Sequence, residues 1–269
     1  MRLRDKVAIV TGAGKGIGRA IAASFVAEGA FVVAVEIDAV ALDALRRATP
    51  AGALLAVEGD ASAQAVVDEA LARTLDAKGR VDVLVNNAIT YTEHGVTGTS
   101  DADWAATIDS GLTAIFRWCR AVLPPMLAAG RGSIVNLASV NQLVANPNLA
   151  AYTAAKGGVH ALTKQIAVEY GPRGIRCNAI SPALVATERT MRGRSPADAA
   201  WDAEAYPVGR IGVPADVAPA AVFLASDEAG FVTGIDLPVD GGLTALAASA
   251  LLSPKVRRWW GRKPLTVAS

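Results

Sequence analysis

Seven short runs, Val7–Val10, Phe31–Val35, Ala53–Val57, Val81–Val85, Ser133–Leu137, Ile175–Ile180 and Ile235–Val239, are apolar almost throughout and recur along the whole chain. A strand that is apolar at every position must be covered on both faces, which is the condition of strands in a parallel sheet. Between the runs lie longer helix-patterned stretches at 17–29, 39–48, 62–78, 101–129, 149–170 and 214–225. Strand–helix–strand repetition of this kind is connected by right-handed crossovers. The expected fold is therefore α/β: a single-domain, doubly wound Rossmann fold of about seven parallel strands with helices on both faces. At 269 residues the chain is long enough to bury a large core, and no linker-like run divides it. Residues 187–207, rich in Thr, Arg, Gly, Ser and Pro, break the alternation and are expected to form a mobile insertion.

Charge divides unevenly along the chain. Up to residue 242 there are 21 cations against 25 acids, whereas Lys255, Arg257, Arg258, Arg262 and Lys263 give the remainder +5. A slightly acidic body argues against nucleic acid as a partner. Two cysteines, Cys119 and Cys177, can form neither a disulfide framework nor a zinc cluster and read as buried apolar residues; no metal site is expected. Six residues precede the first apolar run, too few for a secretion signal, and the weakly polar stretch 241–252 is too short to span a bilayer. A cytoplasmic location is the expectation.

The first run ends in Thr11-Gly12-Ala13-Gly14-Lys15-Gly16-Ile17-Gly18 and leads into a helix pattern. Small residues in a strand-to-helix turn let backbone approach a pyrophosphate seated at the helix N-terminus. A glycine-rich turn alone fits a plain tight turn equally well; its placement between buried strand and helix points to a dinucleotide. Glu36 ends the second run, 18 residues after Gly18, where a carboxylate can grip the adenine ribose diol and repel a 2′-phosphate. Lys15 pulls the other way, toward that phosphate, but Ile37 supplies no second cation. NAD is thus favoured over NADP. Asp60, with Ala61 beside it, can meet the adenine or simply form a turn. Asn86-Asn87-Ala88 follows the fourth run at the edge where such sheets bind ligands, although Asn at a strand end also closes turns.

Tyr152 and Lys156 stand one helical turn apart on the same face. A nearby cation favours a phenolate, as a general acid–base for alcohol and ketone interconversion requires. Ser139 ends the fifth run, 13 residues before Tyr152, where its hydroxyl can bind the substrate oxygen.

With Thr11-Gly12-x-x-x-Gly16-Ile17-Gly18, Asn86-Asn87-Ala88, Ser139 and Tyr152-x-x-x-Lys156 in this order and spacing, the chain resembles the short-chain dehydrogenase/reductase family over about residues 5–242. Pro182-Ala-Leu-Val-Ala-Thr187, Arg210-x-Gly212-x-Pro214-x-Asp216-Val217 and Val239-Asp240-Gly241-Gly242 are similar to its later signatures. The resemblance implies hydride transfer between a nicotinamide cofactor and a secondary alcohol or ketone. Tyr152 would transfer the proton, Ser139 would position the oxygen, and Lys156 would bind the nicotinamide ribose and lower the Tyr152 pKa. Pro182, Thr187 and the Val185 backbone would hold the carboxamide. It also implies a dimer or tetramer, with residues 1–242 as the dinucleotide-binding catalytic domain, 187–207 as a substrate lid and 243–269 as a basic extension.

Three positions depart from the family pattern. Gly111 stands where the family has an Asn thought to support a water relay to the lysine, Ile89 replaces a Gly after Ala88, and Ala183 replaces a Gly after Pro182. Candidate pocket residues are Tyr91, His94, Asn141, Gln142, Arg189, Arg192 and Arg194, a polar set that suits a polyol, a hydroxy acid or a ring dihydrodiol. Trp259 and Trp260 among the tail cations suit a membrane surface or an acidic groove, or else subunit packing. A second reading follows: a cofactor-binding scaffold or sensor that has lost turnover and acts through its tail.

Overall fold

The computed structural model describes residues 1–265 and contains one seven-stranded sheet. Its strands are β1 (Val7–Thr11), β2 (Phe31–Glu36), β3 (Leu54–Glu58), β4 (Val83–Asn86), β5 (Gly132–Leu137), β6 (Ile175–Pro182) and β7 (Asp236–Val239), all parallel and ordered β3-β2-β1-β4-β5-β6-β7. The helices are α1 (Gly16–Ala27), α2 (Ala39–Ala48), α3 (Gln64–Lys78), α4 (Asp101–Ile108), α5 (Ala114–Ala128), α6 (Ala150–Tyr170), α7 (Pro196–Ala203), α8 (Pro214–Ala225), α9 (Ala248–Leu252) and α10 (Pro254–Trp259). The doubly wound Rossmann-like sheet expected from the apolar runs is thus present.

Strand periodicity builds two cores. Ala8 and Val10, Val32 and Ala34, and Val83 and Val85 face one side, where they pack with Ile21, Phe25, Val217 and Val222 of α1 and α8. The alternate residues Ile9, Val33, Val35 and Leu84 face the other side and meet Val67, Trp118, Val122 and Val159 of α3, α5 and α6. Burial on both sides is why the runs carry few polar residues, among them Asp82, Asn136 and Asn178.

Two elements differ in form from the sequence reading. The stretch 101–129 is not one helix: α4 and α5 are joined by a π-helical turn, Asp109–Thr113, which contains the buried Gly111. The insertion 187–207 holds a short helix, α7, started by a capping box in which Ser195 and Asp198 each bond the other's backbone. Among the described residues no helix is long and apolar enough to cross a membrane.

The strand order reverses between β1 and β4. β1 passes through α1 to β2 on one side, and β4 leads through α4 and α5 to β5 on the other, leaving a crevice at their carboxyl ends. Trp118 locks one wall of it. Its ring is 1% exposed and its indole N–H donates to the Ala61 carbonyl at 2.8 Å, tying α5 to the loop after β3. Trp118→Ala is expected to cost about 3–5 kcal/mol of stability, read as a lowered midpoint in urea denaturation.

Candidate active site

The phosphate loop is shaped by what its glycines leave open. Gly12 and Gly16 have φ of +62° and +51°, a region that side-chain-bearing residues rarely adopt. A Cβ on Gly18 would stand 2.0 Å from the Gly12 carbonyl oxygen, and one on Gly14 would stand 2.7 Å from the Glu36 Cγ. Gly14 and Gly18 therefore serve packing beneath the loop, while Gly12, Lys15, Gly16 and Ile17 line the cleft above it. No side chain caps the N-terminus of α1, so its first N–H groups are left for an anion.

Glu36 is buried at the end of β2. Its carboxylate accepts the Gly14 N–H at 2.8 Å through one oxygen and the Ile37 and Asp38 N–H groups at 2.9 and 3.0 Å through the other. Three fixed donors hold a carboxylate that still has acceptor capacity toward a ribose. Lys15 donates to Asp38, whose other oxygen accepts the Ala41 N–H at 3.0 Å as the N-cap of α2. The pair holds the Asp38 carboxyl below its ordinary range and the Lys15 ammonium above its own. Asp38 was missed in the sequence; the signal was an Asp directly before a helix.

Asp60 and Ala61 line the same cleft, but one Asp60 oxygen accepts both the backbone N–H and hydroxyl of Ser62 at 2.8 Å, so the residue does form a turn. The Asn87 amide donates to the Thr11 and Gly12 carbonyls, both at 3.0 Å. The Thr11 hydroxyl oxygen accepts the Asn87 and Ala88 N–H groups at 2.9 and 3.1 Å. Asn87 thus fastens the loop after β4 to the phosphate loop, and it does so from the rim of the cleft.

Ser139 leaves β5 in extended backbone, is 5% exposed, and accepts the Asn141 N–H at 3.2 Å. Tyr152 and Lys156 are presented by the first turns of α6 toward the same cleft. The Lys156 ammonium donates to the Leu137 carbonyl at the end of β5 and lies 5.6 Å from the Tyr152 ring centre. Burial pulls the Lys156 pKa down to about 8. Burial also pushes the Tyr152 phenol up to about 12, with the Ser139 hydroxyl and the Arg189 charge acting against it and Tyr91 reinforcing it. The lowering expected from Lys156 does not appear among these effects: burial dominates, and the protein by itself holds Tyr152 protonated.

Pro182, Val185 and Thr187 follow β6 along the cleft, and a Cβ on Gly16 would lie 3.1 Å from the Thr187 methyl. The Thr190 hydroxyl donates to the Val185 carbonyl at 2.5 Å, and the Thr187 N–H donates back to it at 2.9 Å. The insertion then reaches across: the Arg189 guanidinium donates to the Tyr91 carbonyl at 2.8 Å and stacks on the Tyr91 ring at 3.8 Å. Tyr91 in turn packs on Tyr152 with ring centres 4.5 Å apart. Asn141, Arg192 and Arg194 also line the cleft, which has a volume of about 1260 Å³. Two polar candidates do not. His94 forms a β-bridge with Leu149, and the Gln142 amide is drawn to Asp236 beside β7.

The donor set fits a dinucleotide: a loop whose side-chain space is closed, an uncapped helix start, and a fixed carboxylate at the end of β2. It leads without a break to the hydroxyl, phenol and ammonium of Ser139, Tyr152 and Lys156.

Two departures from the family pattern prove to be one. A Cβ on Gly111 would stand 2.8 Å from the Ile89 Cδ1, so the Ile89 side chain fills the space that a residue at 111 would use. Cys119 and Cys177 are buried and free, as read from the sequence, and burial pushes the Cys119 thiol up to about 12.

A family model described as enoyl-(acyl carrier protein) reductase matches residues 12–244. The chain is 41% identical to 2-(R)-hydroxypropyl-CoM dehydrogenase of Xanthobacter autotrophicus over 90% of this chain and all of that one. It is 40% identical to D-threitol dehydrogenase of Mycolicibacterium smegmatis, covering 90% and 94% respectively. Among solved structures, gox2181 superposes with a TM-score of 0.84 at 34% identity, over 91% of this chain and 98% of that one.

The Ile89–Gly111 pairing is tested by a double-mutant cycle. Gly111→Asn alone is expected to lower the thermal midpoint, and adding Ile89→Gly to recover part of the loss, a coupling of about 1 kcal/mol. Additive effects would show that the two positions are independent.

Proposed function

The chain belongs to the short-chain dehydrogenase/reductase family, and from that premise we propose an NAD-dependent oxidoreductase of polar secondary alcohols and their ketones. The observation that carries the reading is the single cleft in which Glu36 and the phosphate loop stand at one end and Ser139, Tyr152 and Lys156 at the other. Two of the similar proteins are named as dehydrogenases of 2-(R)-hydroxypropyl-CoM and of D-threitol, which supports a polar hydroxylated substrate.

The bound nicotinamide supplies or accepts the hydride. Everything else falls to the chain. Ser139 and the Tyr152 phenol hold the substrate oxygen, and Tyr152 gives its proton to the forming alcohol in reduction or takes it in oxidation. Lys156, fixed by the Leu137 carbonyl, is a second ionisable group in the cleft that would hold the cofactor ribose, and it supplies positive charge behind the phenol. Thr187 and Arg189 of the 187–207 segment line the cleft, and Arg189 reaches across to the Tyr91 carbonyl. Trp104, Phe116 and Val168 stand exposed on α4, α5 and α6, apolar surface that supports a homo-oligomer.

NAD is preferred on two grounds. Glu36 is anchored where a 2′-phosphate would lie against a carboxylate, and Lys15, the cation that could meet that phosphate, is engaged by Asp38. Titration by NADH and NADPH fluorescence is expected to show at least tenfold tighter binding of NADH. Glu36→Ala combined with Asp38→Ala, which removes the acid and releases Lys15, is expected to narrow or reverse the ratio. Tighter NADPH binding by the wild type would refute the assignment.

Because burial holds Tyr152 protonated, oxidation requires its proton to be passed on first, whereas reduction uses it as found. Alcohol oxidation is expected to gain up to about tenfold in kcat/KM per pH unit between pH 7 and 9, while ketone reduction, which uses the proton already in place, stays flat over that range. Tyr152→Phe is expected to lower both by about 10²–10⁴-fold with NADH affinity kept. Full activity in that variant would sink the mechanism.

A further inference from the structure

The family match stops at residue 244, and a relative covered along its entire length uses only 90% of this chain. The extension beyond it, charged +5, was the part of the sequence the motifs left unexplained. Its structure is not that of a free basic arm. Arg257 is 2% exposed, with its guanidinium donating to the Glu204 carboxylate at 2.9 Å and to the Lys263 carbonyl at 2.6 Å. Arg262 donates to the Glu204 and Tyr206 carbonyls at 2.9 and 2.6 Å and lies 3.6 Å from the Glu204 carboxylate. Two of the five tail cations are thus turned inward onto the end of the 187–207 segment, which weakens a membrane-binding role.

These contacts have a consequence for the cleft. Leu251 from α9 and Leu265 beyond α10, both partly buried, line the same cavity as Tyr152, beside Tyr206 and Leu243, and Leu252, 64% exposed, borders it. A buried guanidinium is held only while its partners remain, because an unpaired charge inside protein is costly. Glu204 is the carboxylate shared by both arginines, so it acts as the clasp of the tail.

We propose that the C-terminal extension is a specificity element: an apolar wall of the substrate cleft, clasped by Glu204, that favours alcohols carrying an apolar group on the side away from the reacting carbinol. This rests on the oxidoreductase reading and adds to it that the substrate is amphipathic. Polar groups meet Ser139, Asn141 and Tyr152, and an apolar portion meets the three leucines.

The test uses the full-length chain and a series of 2-alkanols from 2-butanol to 2-octanol. For the wild type, kcat/KM is expected to rise about threefold to fourfold for each methylene that reaches the wall. Replacing Leu251, Leu252 and Leu265 together by Ser is expected to flatten that series, leaving NADH affinity and the rate with 2-butanol within twofold. Glu204→Gln, which loosens the clasp and keeps the leucines, is expected to flatten it as well. Parallel series in wild type and triple variant overturn the proposal, as does a change of oligomeric mass with the series unaltered, which would make the tail a subunit contact. Absence of turnover with every alcohol would count against the oxidoreductase reading itself. The wall is then judged separately by hydrogen exchange over 248–265: added NADH and 2-octanone are expected to slow it, and unchanged exchange overturns the wall.

Discussion

The site depends first on how two loops from opposite halves of the sheet are fastened together. The Asn87 amide reaches the Thr11 and Gly12 carbonyls, and the Thr11 hydroxyl accepts two N–H groups in return. Without these bonds the crevice between β1 and β4 would be only a gap where strand order reverses. With them, the glycine-rich loop after β1 is held in fixed register with the loop after β4. The closeness of Asn87 to Gly12 also explains the glycine: a Cβ there would lie 2.9 Å from the Asn87 amide nitrogen.

Burial organises the other half. It moves Tyr152 and Lys156 in chemically complementary directions, the phenol toward its protonated form and the ammonium toward its neutral one. A general acid and a neighbouring group able to exchange protons thus arise from one cause, the low-dielectric floor formed by β5 and α6. The Arg189–Tyr91–Tyr152 stack adds a cation from the lid that acts against the rise.

What could be read from the sequence follows the range of the forces involved. The strands were visible because burial on both faces leaves few polar residues, and the motif residues because backbone approach or proton transfer demands particular types. The π-helical turn at Asp109–Thr113 was not visible, since an extra residue in a helical turn leaves the local apolar pattern almost unchanged. Asp38 was hidden because it acts through Lys15, 23 residues away in sequence. His94 and Gln142 were misplaced for the converse reason: polar residues near a site look alike in sequence, and only tertiary partners, Leu149 and Asp236, show them engaged elsewhere.

The same argument bears on the departures from the family pattern. Read singly, Gly111 and Ile89 suggest a damaged site, one by losing an amide and the other by adding bulk. In space they exchange volume across a single contact, so packing around α6 is conserved while its polarity changes. The tail obeys a related logic. Its positive charge suggests an outward partner until Glu204 is found to hold two of its arginines, and what then remains for the cleft is its leucines. A charge run informs about partners only after its internal ion pairs are subtracted, and here the subtraction converts a surface signal into a pocket wall.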